Sequence, residues 1–174
     1  MTPSELHQFI HKTAKQLGFA KIGITPANSD PILEQRLSLW IEKKFHASMH
    51  WMENRSLERS NILKYYPNAK SIISLGMNYF TGLASKEHNV GKLSNYAWGD
   101  DYHQIIKPRL YKLLSEIKLV HKKIDGIACV DTSPIMEKYW AQKAGLGWIG
   151  KHTNLITRDF GSWLFLGEII IDAE

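Results

Sequence analysis

Val130-Asp131-Thr132-Ser133-Pro134 puts a carboxylate at the end of an apolar run and just before a proline-marked helix start. A side chain at a strand end often points into a cleft, where a protonated carboxyl can act as a general acid. An N-terminal helix cap or dipole partner is the plainer use of Asp131, and the residues alone favour it. Further on, Gly145, Gly147 and Gly150 satisfy G-x-G-x-x-G, the spacing of a dinucleotide-binding loop. That loop needs a strand before it and a helix after it, so that a pyrophosphate can rest on helix N-terminal amides. Here the order is reversed. Ser133-Pro134 starts a helix with Ile135, Met136, Tyr139, Trp140 and Ala144 at helical spacing, Gly145 closes it in a left-handed cap, and β-formers follow. The glycines are therefore expected to join a helix to a strand with a backbone that can approach a large flat ligand, and a nucleotide reading falls away. Of the polar residues that follow, His152 reads on its own as a surface histidine. His46 and His50 have the i, i+4 spacing of two metal ligands, but no third ligand stands at a convincing distance and the H-E-x-x-H glutamate is missing. Two solvated histidines and no metal site is the expectation. Met49, Met52, Arg55 and Arg59, at spacings of three and four, would share one helix face, and a Met-rich face is more often core than cofactor contact.

The elements that must position these groups alternate between helix and strand. Thr2-Pro3-Ser4-Glu5 is a capping box with proline at the first helical position; Leu6, Phe9, Ile10, Ala14 and Leu17 form the apolar face and Gly18 ends it. Residues 19–24 read as a strand, Asp30-Pro31 opens a helix with Leu33, Leu37, Trp40 and Ile41 inward, and a short helix is expected around 49–59. Residues 71–79 read as a buried strand, and 80–100 as a long surface loop rich in Gly, Ser and Asn. A helix spans 101–120, begun or kinked by Pro108, and 126–130 is the strand that leads into Asp131. Runs at 153–157 and 162–171 are strands joined by a turn at Arg158-Asp159-Phe160-Gly161. Tyr96, Trp98, Tyr102 and His103 border the long loop and could surround a cofactor, although Trp98 and His103 are better suited to anchoring the loop.

Composition bounds the reading more loosely. A chain of 174 residues holds one substantial core, and no linker or repeat divides it, so residues 1–174 are taken as one domain of α+β (α/β layered) class. No apolar run is long enough for a membrane span and no signal segment opens the chain, which points to a cytoplasmic protein. A net charge of +5 favours an anionic partner without identifying one. Cys129 is the single cysteine, so the chain cannot by itself hold a four-iron cluster, which takes four thiolates.

Four blocks in order carry a resemblance: Tyr96-Ala97-Trp98-Gly99-Asp100-Asp101-Tyr102-His103, then Val130 to Pro134, then Ala144 to Thr153, then Gly161-Ser162-Trp163 with Phe165-Leu166-Gly167-Glu168-Ile169. With these the chain resembles the N-terminal half of epoxyqueuosine reductase, a cobalamin-dependent, iron–sulfur reductase that converts epoxyqueuosine to queuosine in tRNA. The resemblance implies a mixed, largely antiparallel sheet flanked by helices, of the nitroreductase-related, cobalamin-binding type. It implies that Asp131 is the proton donor, reversing the balance against a helix cap. It also implies that Arg55, Tyr96, Asp131, Lys151, His152, Thr153 and Asn154 contact the cofactor or substrate, and that no histidine ligates cobalt. The family's [4Fe-4S] clusters would lie in a ferredoxin-like C-terminal part absent here, so the chain reads as the cofactor-binding half of a longer enzyme. Its partner would be the anticodon loop of epoxyqueuosine-bearing tRNA, bound by a monomer. The family has an arginine where this chain has Asp100, which leaves that position without a carried-over role. A flavin-dependent nitroreductase-like enzyme binding FMN, and a non-catalytic cobalamin- or tRNA-binding module, remain as alternatives.

Overall fold

The computed structural model describes residues 1–82 and 89–174. Helix α1, Pro3–Gln16, begins as its capping box dictates: the Thr2 hydroxyl accepts from the Glu5 amide and the Glu5 carboxylate accepts from the Thr2 amide. Strand β1 is Lys21–Pro26 and helix α2 is Pro31–Glu42, capped by Asp30. Of the four α2 residues expected inward only Leu37 is fully buried.

The segment after α2 departs from expectation. A 3-10 turn at His50–Met52 is cut off from helix α3, Ser56–Ser60, by Arg55 in a left-handed conformation, φ 60°. Met49, Met52, Arg55 and Arg59 therefore share no continuous helix face. His46 also corrects the reading of two solvated histidines: it is buried, with Nε2 2.5 Å from Glu53 Oε1, while His50 is exposed.

A short helix α4, Ile62–Tyr65, leads into β2, Ser71–Asn78. The long loop expected over 80–100 lies partly outside the described residues; its end forms a 3-10 turn at Asn95–Ala97. Helix α5, Tyr102–Val120, is capped by Asp101 and continues through Pro108, which sits in its second turn. Then come β3, Gly126–Cys129; α6, Glu137–Lys143; β4, Trp148–Ile149; β5, Leu155–Ile156; and β6, Leu164–Ile171.

The main sheet runs in the order β1-β2-β6-β3, every pair antiparallel, and β4 and β5 form a separate ribbon. The central strands β2 and β6 are covered on both faces, which explains their nearly unbroken apolar sequences. Ile73, Leu75, Ile169 and Ile171 face α1 and α5, packing on Leu6, Ile10, Ile106, Leu110 and Leu113. Ile72, Ile170 and Cys129 face the other way, toward Ile135, Trp140 and Ile62. The antiparallel sheet flanked by helices is the fold class the sequence led us to expect.

Candidate active site

Asp131 sits where the main chain leaves the sheet. Cys129, the last residue of β3, pairs in register with Glu168, Val130 is buried, and the backbone then turns left-handed at Asp131, φ 45°. The helix expected from Ser133 begins only at Glu137, because Pro134 and Ile135 are drawn into the core before the chain can coil. Met136 precedes α6 without a side-chain cap, so Asp131 caps no helix. Its carboxyl, 54% exposed, instead lies with Oδ2 3.1 Å from His103 Nε2.

His103 is held from its other side. Nδ1 is 2.8 Å from Asp101 Oδ1, the same oxygen that accepts the His103 amide at the start of α5. Hydrogen bonding to Asp101 first, and to Asp131 second, raises the His103 pKa above its ordinary value, while slight desolvation opposes the shift. Tyr102 stacks between His103, at 4.1 Å, and Phe165, at 4.3 Å. Burial, and then the negative charge of Asp131, push the Tyr102 phenol far above its usual range, so it remains a neutral hydrogen-bond donor.

Two carboxylates stand behind this group. Glu137 Oε1 accepts the Asp131 amide at 2.6 Å, and Glu168 is fully buried in β6 with neither oxygen hydrogen-bonded. Burial is the main cause that raises both, Glu137 to about 7 and Glu168 well above the carboxylate range. A charged residue inside the apolar run Leu164–Ile171 is the sequence signal that could have singled out Glu168. His103 was read as a loop anchor, and nothing local to the sequence shows that it meets Asp131. Trp98 does anchor the loop, donating from Nε1 to Leu93 O at 3.0 Å.

Beside Asp131 lies an aromatic shelf. A cavity of about 460 Å³ and a second of about 310 Å³ share Tyr79, Tyr96, Tyr102 and Phe165 as lining. The second is also lined by Lys138 and Asn154, joined by a 2.8 Å hydrogen bond. The structure thus brings Tyr96 and Asn154 together. Lys151, His152 and Thr153 form the exposed turn between β4 and β5: the Asn154 amide donates to His152 Nδ1, and Thr153 is left-handed, φ 67°. Arg55 stands apart from the shelf. It pairs with Glu58 and lies 5.4 Å from the centre of the Tyr65 ring, whose hydroxyl meets Cys129 Sγ at 3.8 Å, two residues before Asp131.

The glycine segment has a structural use of its own, joining helix to strand as expected. Gly145 does close α6 with φ 78°. A Cβ on Gly147, however, would fall 2.0 Å from Ile156 O, so this glycine is needed for the backbone of its own ribbon to close on β5.

Residues 59–132 match a family model described as Epoxyqueuosine reductase QueG, DUF1730. The chain is 45% identical over 152 residues to the epoxyqueuosine reductase of Synechocystis, covering 86% of this chain and 52% of that protein. An epoxyqueuosine reductase structure with a tRNA-Tyr epoxyqueuosine-modified stem loop superposes with a TM-score of 0.83 at 26% identity, covering 97% of this chain and 46% of the other. The Bacillus subtilis epoxyqueuosine reductase, with its aspartate catalytic loop swung out of the active site, gives 0.86 at 25% identity, covering 98% and 46%. A reductive dehalogenase studied for B12-dependent dehalogenation shares the fold alone, with a TM-score of 0.51 at 11% identity over 94% of this chain and 19% of that one. The resemblance read from the four sequence blocks is borne out, and the chain spans about half the length of the curated relatives it matches.

Proposed function

We propose that this chain is the cobalamin-binding half of an epoxyqueuosine reductase, one domain over residues 1–174, acting on epoxyqueuosine in tRNA with Asp131 as the proton donor. The observation that carries the reading is the placement of Asp131: a half-exposed carboxyl on left-handed backbone, tied to His103 and set beside the aromatic shelf.

The shelf suits a corrin. Four rings shared by two adjoining cavities can cover one face of a flat ligand, and Tyr96 and Asn154 offer polar groups to its amide arms. Arg55, Tyr96, Lys151, His152, Thr153 and Asn154 are the residues we assign to holding cobalamin, which would supply the reducing electrons for the epoxide. The [4Fe-4S] clusters of this reading lie outside the chain, since Cys129 is its single cysteine. Opening an epoxide leaves an oxygen that needs a proton, and Asp131 Oδ2 delivers it. His103, whose pKa the hydrogen bond to Asp101 raises, is placed to return a proton to Asp131. The relative that carries a tRNA stem loop and the net charge of +5 support tRNA as the partner; a cytoplasmic monomer completes the proposal. Among the described residues no helix is long and apolar enough to cross a membrane.

Visible spectroscopy of the chain titrated with cobalamin tests the cofactor, with a base-off spectrum expected. Binding of FMN in its place would overturn the assignment in favour of a nitroreductase-like enzyme. In the full-length enzyme, Asp131→Asn should lower the chemical step by about 10²–10⁴ at unchanged cobalamin affinity. Near-wild-type conversion by that variant would remove Asp131 from the chemistry.

A further inference from the structure

Asp131 must hold a backbone conformation that a non-glycine residue disfavours, at the exposed start of a loop that turns into the core only at Pro134 and Ile135. Its backbone amide is anchored by a single hydrogen bond. The Asp131 amide donates to Glu137 Oε1 at 2.6 Å, a short bond. Other local bonds are an Ile135 amide to Ser133 O contact at 2.9 Å and a long Thr132 hydroxyl contact to Val130 O.

Glu137 is placed by α6, which packs across the sheet face that presents Ser74, Glu168 and Cys129 in one cross-strand row. Ser74 Oγ and both Glu168 oxygens are buried there without partners. Two neighbouring carboxyls on such a face do not both ionise. Glu168, with no donor to stabilise a charge, retains its proton, and this leaves Glu137 as the member free to be an anion and an acceptor.

We propose that Glu137 is a positioning residue: its carboxylate clamps the Asp131 amide, fixing the left-handed turn that aims the Asp131 carboxyl at His103 and the shelf, and protonation of Glu137 loosens that clamp. The functional part of this inference rests on the reading of Asp131 as proton donor. The groups that face Glu137 are Asp131 on the loop, Tyr102 and His103 on α5, Lys138 beside it on α6, Cys129 on β3 and Glu168 on β6. Burial and Asp131 favour its neutral form, whereas the Asp131 amide, Lys138 and His103 favour the anion. Because the amide bond favours the anion, the clamp is complete above the Glu137 pKa and weakens as pH falls through it.

The test combines amide NMR of the ¹⁵N-labelled chain with kinetics of the full-length enzyme. The Asp131 amide proton should resonate far downfield at pH 8 and move upfield as pH falls through about 7. Glu137→Gln is a neutral acceptor like protonated Glu137, so its Asp131 amide should sit at the wild type's low-pH position and cease to titrate, whereas Glu137→Ala should lose the bond and the exchange protection altogether. In the full-length enzyme Glu137→Ala should lower kcat by about 10²-fold with KM unchanged, the scale of a small misplacement of a reacting group. Glu137→Gln should recover only part of that rate, to the level the wild type shows with Glu137 protonated. An Asp131 amide that ignores pH in the wild type, or wild-type kcat in a folded Glu137→Ala enzyme, overturns the proposal. Asp131→Asn turnover decides the donor reading and the amide titration decides the clamp, so the two failures are distinguishable.

Discussion

Replacing Glu168 with Gln should change how stability depends on pH, by an amount the structure fixes. Glu168 is fully buried with neither oxygen hydrogen-bonded, and its pKa in the folded chain is raised well above 4.5 by burial. Between about pH 5 and that folded pKa, the native state holds a proton that the unfolded chain has released. Proton binding by the native state means that stability falls as pH rises, by about 1.4 kcal/mol per pH unit for one full proton. From pH 5.0 to 6.0 the unfolded carboxyl is nearly but not wholly ionised, so Glu168 should account for a loss of about 1.2 kcal/mol. Glutamine does not titrate, so Glu168→Gln should lack that loss. Its buried amide adds an offset of about 1–3 kcal/mol from unpaired polar atoms, but that offset is the same at both pH values. Groups shared by the two proteins and remote from Glu168, such as His11, cancel in the difference. Urea unfolding at pH 5.0, 5.5 and 6.0, with matched m-values, measures it. Parallel stability curves for the two proteins would refute the reasoning, because they would require Glu168 to be ionised in the fold or reached by water.

Thr153 is a β-branched residue held left-handed at φ 67° in an exposed turn, so Thr153→Gly should stabilise the chain by about 1 kcal/mol, read as a rise in Tm; a fall would mean that the threonine side chain contributes contacts outweighing its strain. Cys129 is 1% exposed and burial pushes its thiol up to about 11, so a thiol reagent at pH 8 should label it only at the rate of unfolding. Rapid labelling of the native chain would show that the face under α6 opens readily.

What the sequence determined by itself was mostly short-range. The Thr2 and Glu5 capping box, the helix start at Asp30, the Gly145 closure and the strands at Ser71–Asn78 and Leu164–Ile171 depend on neighbours a turn or a pleat away, so they appear where composition and spacing put them. The four motif blocks also sufficed for the resemblance to epoxyqueuosine reductases. Tertiary structure decided the rest, wherever burial or register overrode a local pattern. Core packing of Ile135 delays α6 to Glu137 and leaves Asp131 with no helix to cap. The left-handed turn at Arg55 divides a pattern of spacings that a continuous helix would have joined. Gly147 is required by the carbonyl of Ile156, a partner that only the pairing of β4 with β5 supplies. The group of Asp131, His103, Glu137 and Glu168 exists because antiparallel register and the packing of α5 and α6 bring four separate elements to one strand end, and no local periodicity encodes that convergence.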